Sequence, residues 1–149
     1  MLLLDTNHCF RIIARDPRLL QRLQDAAVET IVTSAIVAGE LSYGASISQR
    51  RDENGAAVAR FLDAIAVVPI SPSVAHEYGR LKGALLDRFG PRERARRRDF
   101  NLASLGFGDN DLWIAASALD LGAVLVSADP DFERIGEVAD LALENWMDS

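Results

Sequence analysis

The sequence predicts an α/β domain built on a mainly parallel sheet of four to five strands. Three observations predict it. Short apolar runs alternate along the chain with longer segments of helical periodicity, the pattern of βαβ units whose helices cover both faces of a sheet. Two of those runs, "LLL" at 2–4 and "AVLV" at 123–126, carry no polar residue, as buried strands require. Carboxylates stand at the rims of the same runs, with Asp5 after the first, Asp129 after the last, and Asp109 and Asp111 opening the helix between. At 149 residues the chain is long enough for one domain with a real core.

The elements follow in order. "MLLLD" reads as a strand ending at Asp5. Residues 7–25 are helical with a break near Pro17, since proline is tolerated in a helix only in the first turn. "TIVTS" (30–34) is a second strand and "AIVAGELSYGASIS" the helix after it. Residues 52–64 form another helix, and "AVVPIS" (66–71) a third strand. Ser71-Pro72-Ser73 supplies a cap and an early proline for a helix running to about Arg88. Residues 89–108 are irregular or partly helical. A helix spans Asp109 to Leu121, with Asp109 its expected N-cap and Gly122 its stop. "AVLVS" (123–127) is a fourth strand, "DPDFERI" a turn and short helix, and "LALEN" a fifth strand.

Composition narrows the classes. Hydrophobic residues make up 49% and charged residues 26%, a globular balance. No apolar stretch is long enough to span a bilayer. "MLLLDTN" has no basic leader and meets Asp5, so it is not a secretory signal, and a cytoplasmic location is expected. Cys9 is the single cysteine, which excludes an internal disulfide and a cysteine-based zinc site. The net charge of −6 hides an asymmetry: six of the sixteen basic residues are arginines between Arg88 and Arg98. A partner meeting that segment meets positive charge.

In open α/β sheets, sites form outside the carboxyl ends of the strands. Asp5, Asp111 and Asp129 belong to that edge. Glu40 follows the second strand, in line with Ile36, Tyr43 and Ile47, so it interrupts an apolar face. Singly, Asp5 caps a helix, Asp111 favours a helix dipole and Asp129-Pro130 makes a turn. Together they repel: two carboxylates about 4 Å apart cost roughly 4 kcal/mol at an effective dielectric near 20. Such a cluster must hold a proton or a cation. Oxygen ligands without histidine or cysteine suit Mg²⁺ or Mn²⁺.

The motifs "LLLDTN", "SAIVAGELSYGA", "DNDLWIAASAL" and "AVLVSADPDFERI", with "LENW" near the end, resemble the PIN-domain family in order and over nearly the whole chain. The resemblance is closest to VapC-like toxins of type II toxin–antitoxin systems. It implies a three-layer α/β/α sandwich and a Mg²⁺- or Mn²⁺-dependent endoribonuclease. It places the family's catalytic and metal-holding acids at Asp5, Glu40, Asp111 and Asp129, with Thr6, Asn7 and Ser127 in support. Many relatives carry Thr-Asn-Asp where this chain has Ser127-Ala128-Asp129, which keeps a hydroxyl and loses an amide. Asp131 stands as a second candidate at that corner. The resemblance further implies a cognate antitoxin whose tail covers the acidic site, and a homodimer is the commonest assembly. The arginine-rich segment at about 88–105 reads as an insertion in the single domain.

Arg92, Arg94, Arg96, Arg97 and Arg98, with Arg88, have two readings. They bind RNA phosphates through guanidinium forks, or they form a solvated loop paired with Glu93 and Asp99. His8 and His76 read as structural, Cys9 as a small buried residue and Trp113 as core. Two other functions compete with the ribonuclease. A Mg²⁺-dependent phosphatase would use Asp5 as nucleophile, but Asn7 stands where its second acid belongs and Lys82 is the only lysine. A degenerate domain that only binds RNA or protein has little use for four clustered acids.

Overall fold

The structure, a computed structural model, describes residues 1–148. The elements run β1 (Leu2–Leu4), α1 (Thr6–Ile13), α2 (Pro17–Asp25), β2 (Ile31–Ser34), α3 (Ala35–Ser46), α4 (Arg51–Ala64) and β3 (Ala66–Val68). They continue with α5 (Pro72–Phe89), α6 (Arg94–Arg97), a 3₁₀ turn (Leu102–Leu105), α7 (Asp109–Leu121), β4 (Val124–Val126), α8 (Pro130–Gly136) and β5 (Leu143–Glu144). The sheet order is β3-β2-β1-β4-β5, and every pairing is parallel.

Leu2, Leu3 and Leu4 are all buried, although successive strand side chains point to opposite faces. Both faces of β1 are therefore covered, and the predicted three-layer α/β/α arrangement follows. On α7, Ala115, Ala116 and Ala118 are fully buried, and these small side chains let the helix backbone approach its neighbours closely. Gly122 ends α7 at φ 59, a left-handed conformation, and its N–H reaches the carbonyls of Ala118 and Leu119.

The expected break near Pro17 is present: Arg15 turns the chain at φ 61 and Asp16 caps α2 through the N–H groups of Arg18 and Leu19. Two boundaries differ from expectation. β3 stops at Val68 rather than Ser71, since Pro69 has no N–H for the ladder. The fifth strand shrinks to Leu143–Glu144. Residues 89–108 are partly helical, with α6 and the 3₁₀ turn.

The strand order reverses direction beside β1, with β2 on one side and β4 on the other. That reversal opens a crevice at the carboxyl ends of the two strands. Leu4 is in register with Val126, and the Asp5 N–H donates to the Val126 carbonyl at 3.1 Å. The residues that leave β1 and β4 thus emerge side by side.

Candidate metal centre

Five elements meet at that crevice. Asp5 follows β1 and caps α1, Thr6 opens α1, Glu40 lies on α3, Asp111 in the first turn of α7, and Asp129 caps α8. Asp5, Thr6, Asn7, Glu40, Asp111, Ile114, Asp129 and Phe132 line one small cup of about 160 Å³. The apolar floor of Ile114 and Phe132, both almost fully buried, anchors the cup to the core.

Neutral donors hold three of the four acids. Asp5 is 3% exposed; its Oδ1 accepts the His8 backbone N–H at 2.8 Å and lies 2.8 Å from His8 Nδ1, while Oδ2 accepts the Ser127 hydroxyl at 2.5 Å. Ser127 Oγ in turn accepts the Asp129 N–H at 3.1 Å, so one hydroxyl joins two corners of the cup. Glu40 accepts from the Thr6 hydroxyl on one oxygen and from Asn110 Nδ2, at 2.9 Å, on the other. Asp129 Oδ1 accepts the Asp131 N–H at 2.9 Å.

Asp111 is the exception: among the described residues no donor reaches its carboxylate. Its pKa is pushed up to about 6, first by burial and then by the charges of Asp129, Glu40, Asp131 and Asp5. The cup thus fits a cation. Asp111, Asp129 and Asp131 each offer a carboxylate oxygen, all within 4.8 Å of one another. That tight trio includes Asp131 and leaves out Asp5 and Glu40, which line the cup with their carboxylates already hydrogen-bonded. Asp131 is shared, because its Oδ1 also meets Arg134 at 3.2 Å.

Asp109 departs from expectation. It is the first residue of α7 rather than its cap, and Gly108 takes the cap position with no side-chain bond. Its carboxylate instead accepts from Tyr78 Oη at 2.5 Å and lies 3.4 Å from Lys82 Nζ, which ties α7 to α5. The Tyr78 bond, then Lys82, hold its pKa low. The same pairing accounts for Lys82, which stands on Asp109 outside the cup. Trp113 is half-buried rather than core, stacked on Tyr78 with ring centroids 3.7 Å apart. The face of α3 that carries Glu40 is not buried either, since Tyr43 and Ile47 are each 66% exposed.

None of the block arginines lines the cup. Arg97 pairs with Asp87 and the Pro91 carbonyl, Arg96 with Glu93 at 2.9 Å, and Arg88 with Glu137 at 3.3 Å. Among the described residues Arg92, Arg94 and Arg98 have no acidic partner and are exposed. Cys9 is buried and its thiol pKa is pushed to about 12 by burial, while His76 is exposed on α5. Sequence reasoning passed over Asn110 as a partner of Glu40. Its only signal was adjacency to Asp111 in the first turn of α7.

Comparison with known proteins places this fold. The family description "PIN domain" matches residues 2–138. Ribonuclease VapC2 of Haemophilus influenzae is 34% identical over 147 residues, covering 97% of each chain. Ribonuclease VapC2 of Rickettsia felis is 31% identical, covering 97% of this chain and 96% of its own. Among solved structures, VapBC2 from Rickettsia felis bound to a promoter DNA fragment superposes with a TM-score of 0.77 at 29% identity, covering 97% of this chain and 98% of that one. DNA-bound VapBC from Salmonella typhimurium gives 0.79 at 25% identity, covering 97% of each.

Proposed function

The chain belongs to the PIN-domain family, and from that premise we propose that it is an endoribonuclease, the toxin of a toxin–antitoxin pair, working with Mg²⁺ or Mn²⁺ in the acidic cup. The observation that carries the reading is the convergence of Asp5, Glu40, Asp111 and Asp129 from separate elements into one cup at the strand crossover. Uncompensated, that convergence would destabilise the fold, which supports a cation as the missing partner.

Asp5, Glu40, Asp111 and Asp129 would hold the ion, with Asp131 assisting beside Asp129. When bound, such an ion makes water a stronger nucleophile near neutral pH and offsets charge on the phosphate being cleaved. Thr6 and Asn110 keep Glu40 turned inward, and Ser127 keeps Asp5 and Asp129 in fixed relation. Asn7 is exposed at the mouth, where its amide can donate to a phosphate oxygen. Of the arginine-rich segment, the residues free to bind RNA are Arg92, Arg94 and Arg98, whereas Arg96 and Arg97 are engaged in its own fold.

The antitoxin reading has support beside the cup. Phe10, Tyr43 and Ile47 are exposed apolar side chains around a depression that also reaches Thr6, Glu40 and Asn110. A partner segment with apolar side chains and one cation would cover both surfaces. A homodimer and a cytoplasmic location complete the proposal; among the described residues no helix is long and apolar enough to cross a membrane. A phosphatase reading gains nothing, since Asn7 and the distant engagement of Lys82 leave its acid and base positions unfilled.

The test is cleavage of mixed RNA by purified protein. Activity should require Mg²⁺ or Mn²⁺, stop on chelation, and leave 5′-phosphate and 3′-hydroxyl ends. Cleavage that persists in EDTA, or cyclic phosphate ends, refutes the metal role. In cells, the wild type alone should arrest growth and Asp5→Asn should not; equal growth refutes the toxin role.

A further inference from the structure

His8 is fully buried, and among the described residues its ring makes one polar contact: Nδ1 stands 2.8 Å from Oδ1 of Asp5. The other ring nitrogen, Nε2, has no hydrogen-bond partner. The Trp146 ring meets the imidazole edge to face, with centroids 6.4 Å apart and planes at 79°. These neighbours determine the tautomer. A carboxylate oxygen that approaches Nδ1 accepts a hydrogen, so Nδ1 carries it, and a hydrogen on Nε2 would be a buried N–H with nothing to receive it.

The ring bond is not needed to begin the helix. Asp5 already caps α1 by accepting the His8 backbone N–H at 2.8 Å. The imidazole adds a second donor to the same oxygen. Oδ1 of Asp5 therefore receives two hydrogen bonds from one residue, while Oδ2 accepts from Ser127, and Asp5 lines the cup. A leucine at this position would fill space without burying an unpaired nitrogen, so packing alone gives no reason for histidine.

We propose that His8 is a positioning residue for the cation site: its Nδ1–H occupies Oδ1 of Asp5 and leaves Oδ2 as the oxygen presented to the ion. The role rests on the acidic cup being a cation site, and it acts only through Asp5. A ligating group whose partner is removed gains rotational freedom, and loss of such supporting partners commonly costs about 10- to 100-fold in metal affinity.

Two substitutions separate positioning from packing. In His8→Asn the side-chain nitrogen falls near the place of Nδ1 and keeps the donor, but the variant buries another polar atom and leaves the ring's space unfilled. In His8→Leu the interior stays apolar and the donor is lost. Stability should therefore favour Leu while metal affinity favours Asn. Calorimetric titration with Mn²⁺ alone, paired with thermal melts in EDTA, reads both orders. His8→Asn should bind within about threefold of wild type and His8→Leu at least about tenfold more weakly, although it melts no lower than His8→Asn. A Leu variant that binds as wild type does, or two variants weakened alike, overturns the role of His8. A wild type that takes up no Mn²⁺ overturns the cation premise, and this role with it. Nitrogen-15 NMR of the metal-free wild type needs no variant to fold: it should show a protonated Nδ1 and a bare Nε2 on His8, and the opposite tautomer overturns the proposal.

Discussion

Asp111→Asn should make the metal-free protein more stable at pH 7 while removing its function. Burial and four neighbouring carboxylates raise the Asp111 pKa from 3.8 to about 6. A raised carboxyl pKa favours the fold below the unfolded value, and that contribution is lost as pH climbs through the folded one. At pH 7 the group is ionised against its surroundings. That rise corresponds to about 3 kcal/mol. Asp111 is only partly buried, so solvent screening reduces the usable figure to about 1 kcal/mol. Asparagine keeps the size and removes the charge, so in EDTA at pH 7 the variant should melt about 3 °C above wild type. The gain should shrink as pH falls through about 6, where wild-type Asp111 takes up its proton, and be largely gone near pH 4, close to the unfolded-state value. Adding Mn²⁺ should reverse the order, because binding stabilises only the protein that binds. Melts of both proteins at pH 4 and 7, with EDTA or Mn²⁺, supply the comparison. A variant less stable than wild type in EDTA at pH 7, or a gain that does not depend on pH, would refute the electrostatic account.

The neighbouring acid should behave differently. Asp109→Ala removes the bonds to Tyr78 and Lys82 rather than a cap, so it should cost no more than about 1 kcal/mol in denaturant melts and leave Mn²⁺ affinity intact. Replacing Arg92, Arg94 and Arg98 with alanine should flatten the salt dependence of RNA binding by roughly 0.7 log units of slope for each phosphate no longer neutralised. The pair Arg96 and Arg97 should instead lower the melting temperature, with little change in that slope. Cys9, with its thiol pushed to about 12 and no exposure, should resist alkylation at pH 8 until the protein unfolds; labelling measured by mass spectrometry at native and denaturing urea concentrations checks it.

Much of the fold was legible because strand runs and helix caps are local signals. Ser71-Pro72 announces its helix by a side chain that bonds the very next turn, and that cap forms; Pro17 marks the break between the first two helices by a local signal as well. Pro69 carried the shortening of β3 just as locally, in a run that reads as strand by composition. The acids were legible for a different reason. Each sits where an element begins or ends, and parallel topology gathers such ends at one edge. What stayed hidden depends on partners far along the chain. Asp109 has every local mark of a cap, yet Tyr78, 31 positions away, claims its carboxylate. Asn110 carries no mark of its own, and its bond to Glu40 spans 70 positions. The arginine block reads as one feature in sequence; its pairing with Glu93 was legible locally, whereas placement beside Asp87 and Glu137 divides it further into paired and free members.

For Asp5 and Asp129 the structural reading and the chemical reading turn out to be the same geometry. Both cap a helix, accepting backbone N–H groups of His8 and Asp131. A cap residue lies outside the helix with an extended backbone, which at the end of a parallel strand puts its carboxylate over the strand's carboxyl edge. Helix N–H donors there favour negative charge, which offsets part of the cost of gathering carboxylates. Asp111 lies past the cap, in the first turn of its helix, and accepts no such donor, so the uncompensated charge of the cup concentrates on it. That division explains the raised pKa of Asp111, and why removing its charge should relieve the fold more than removing that of Asp5, whose donors would be left unpaired.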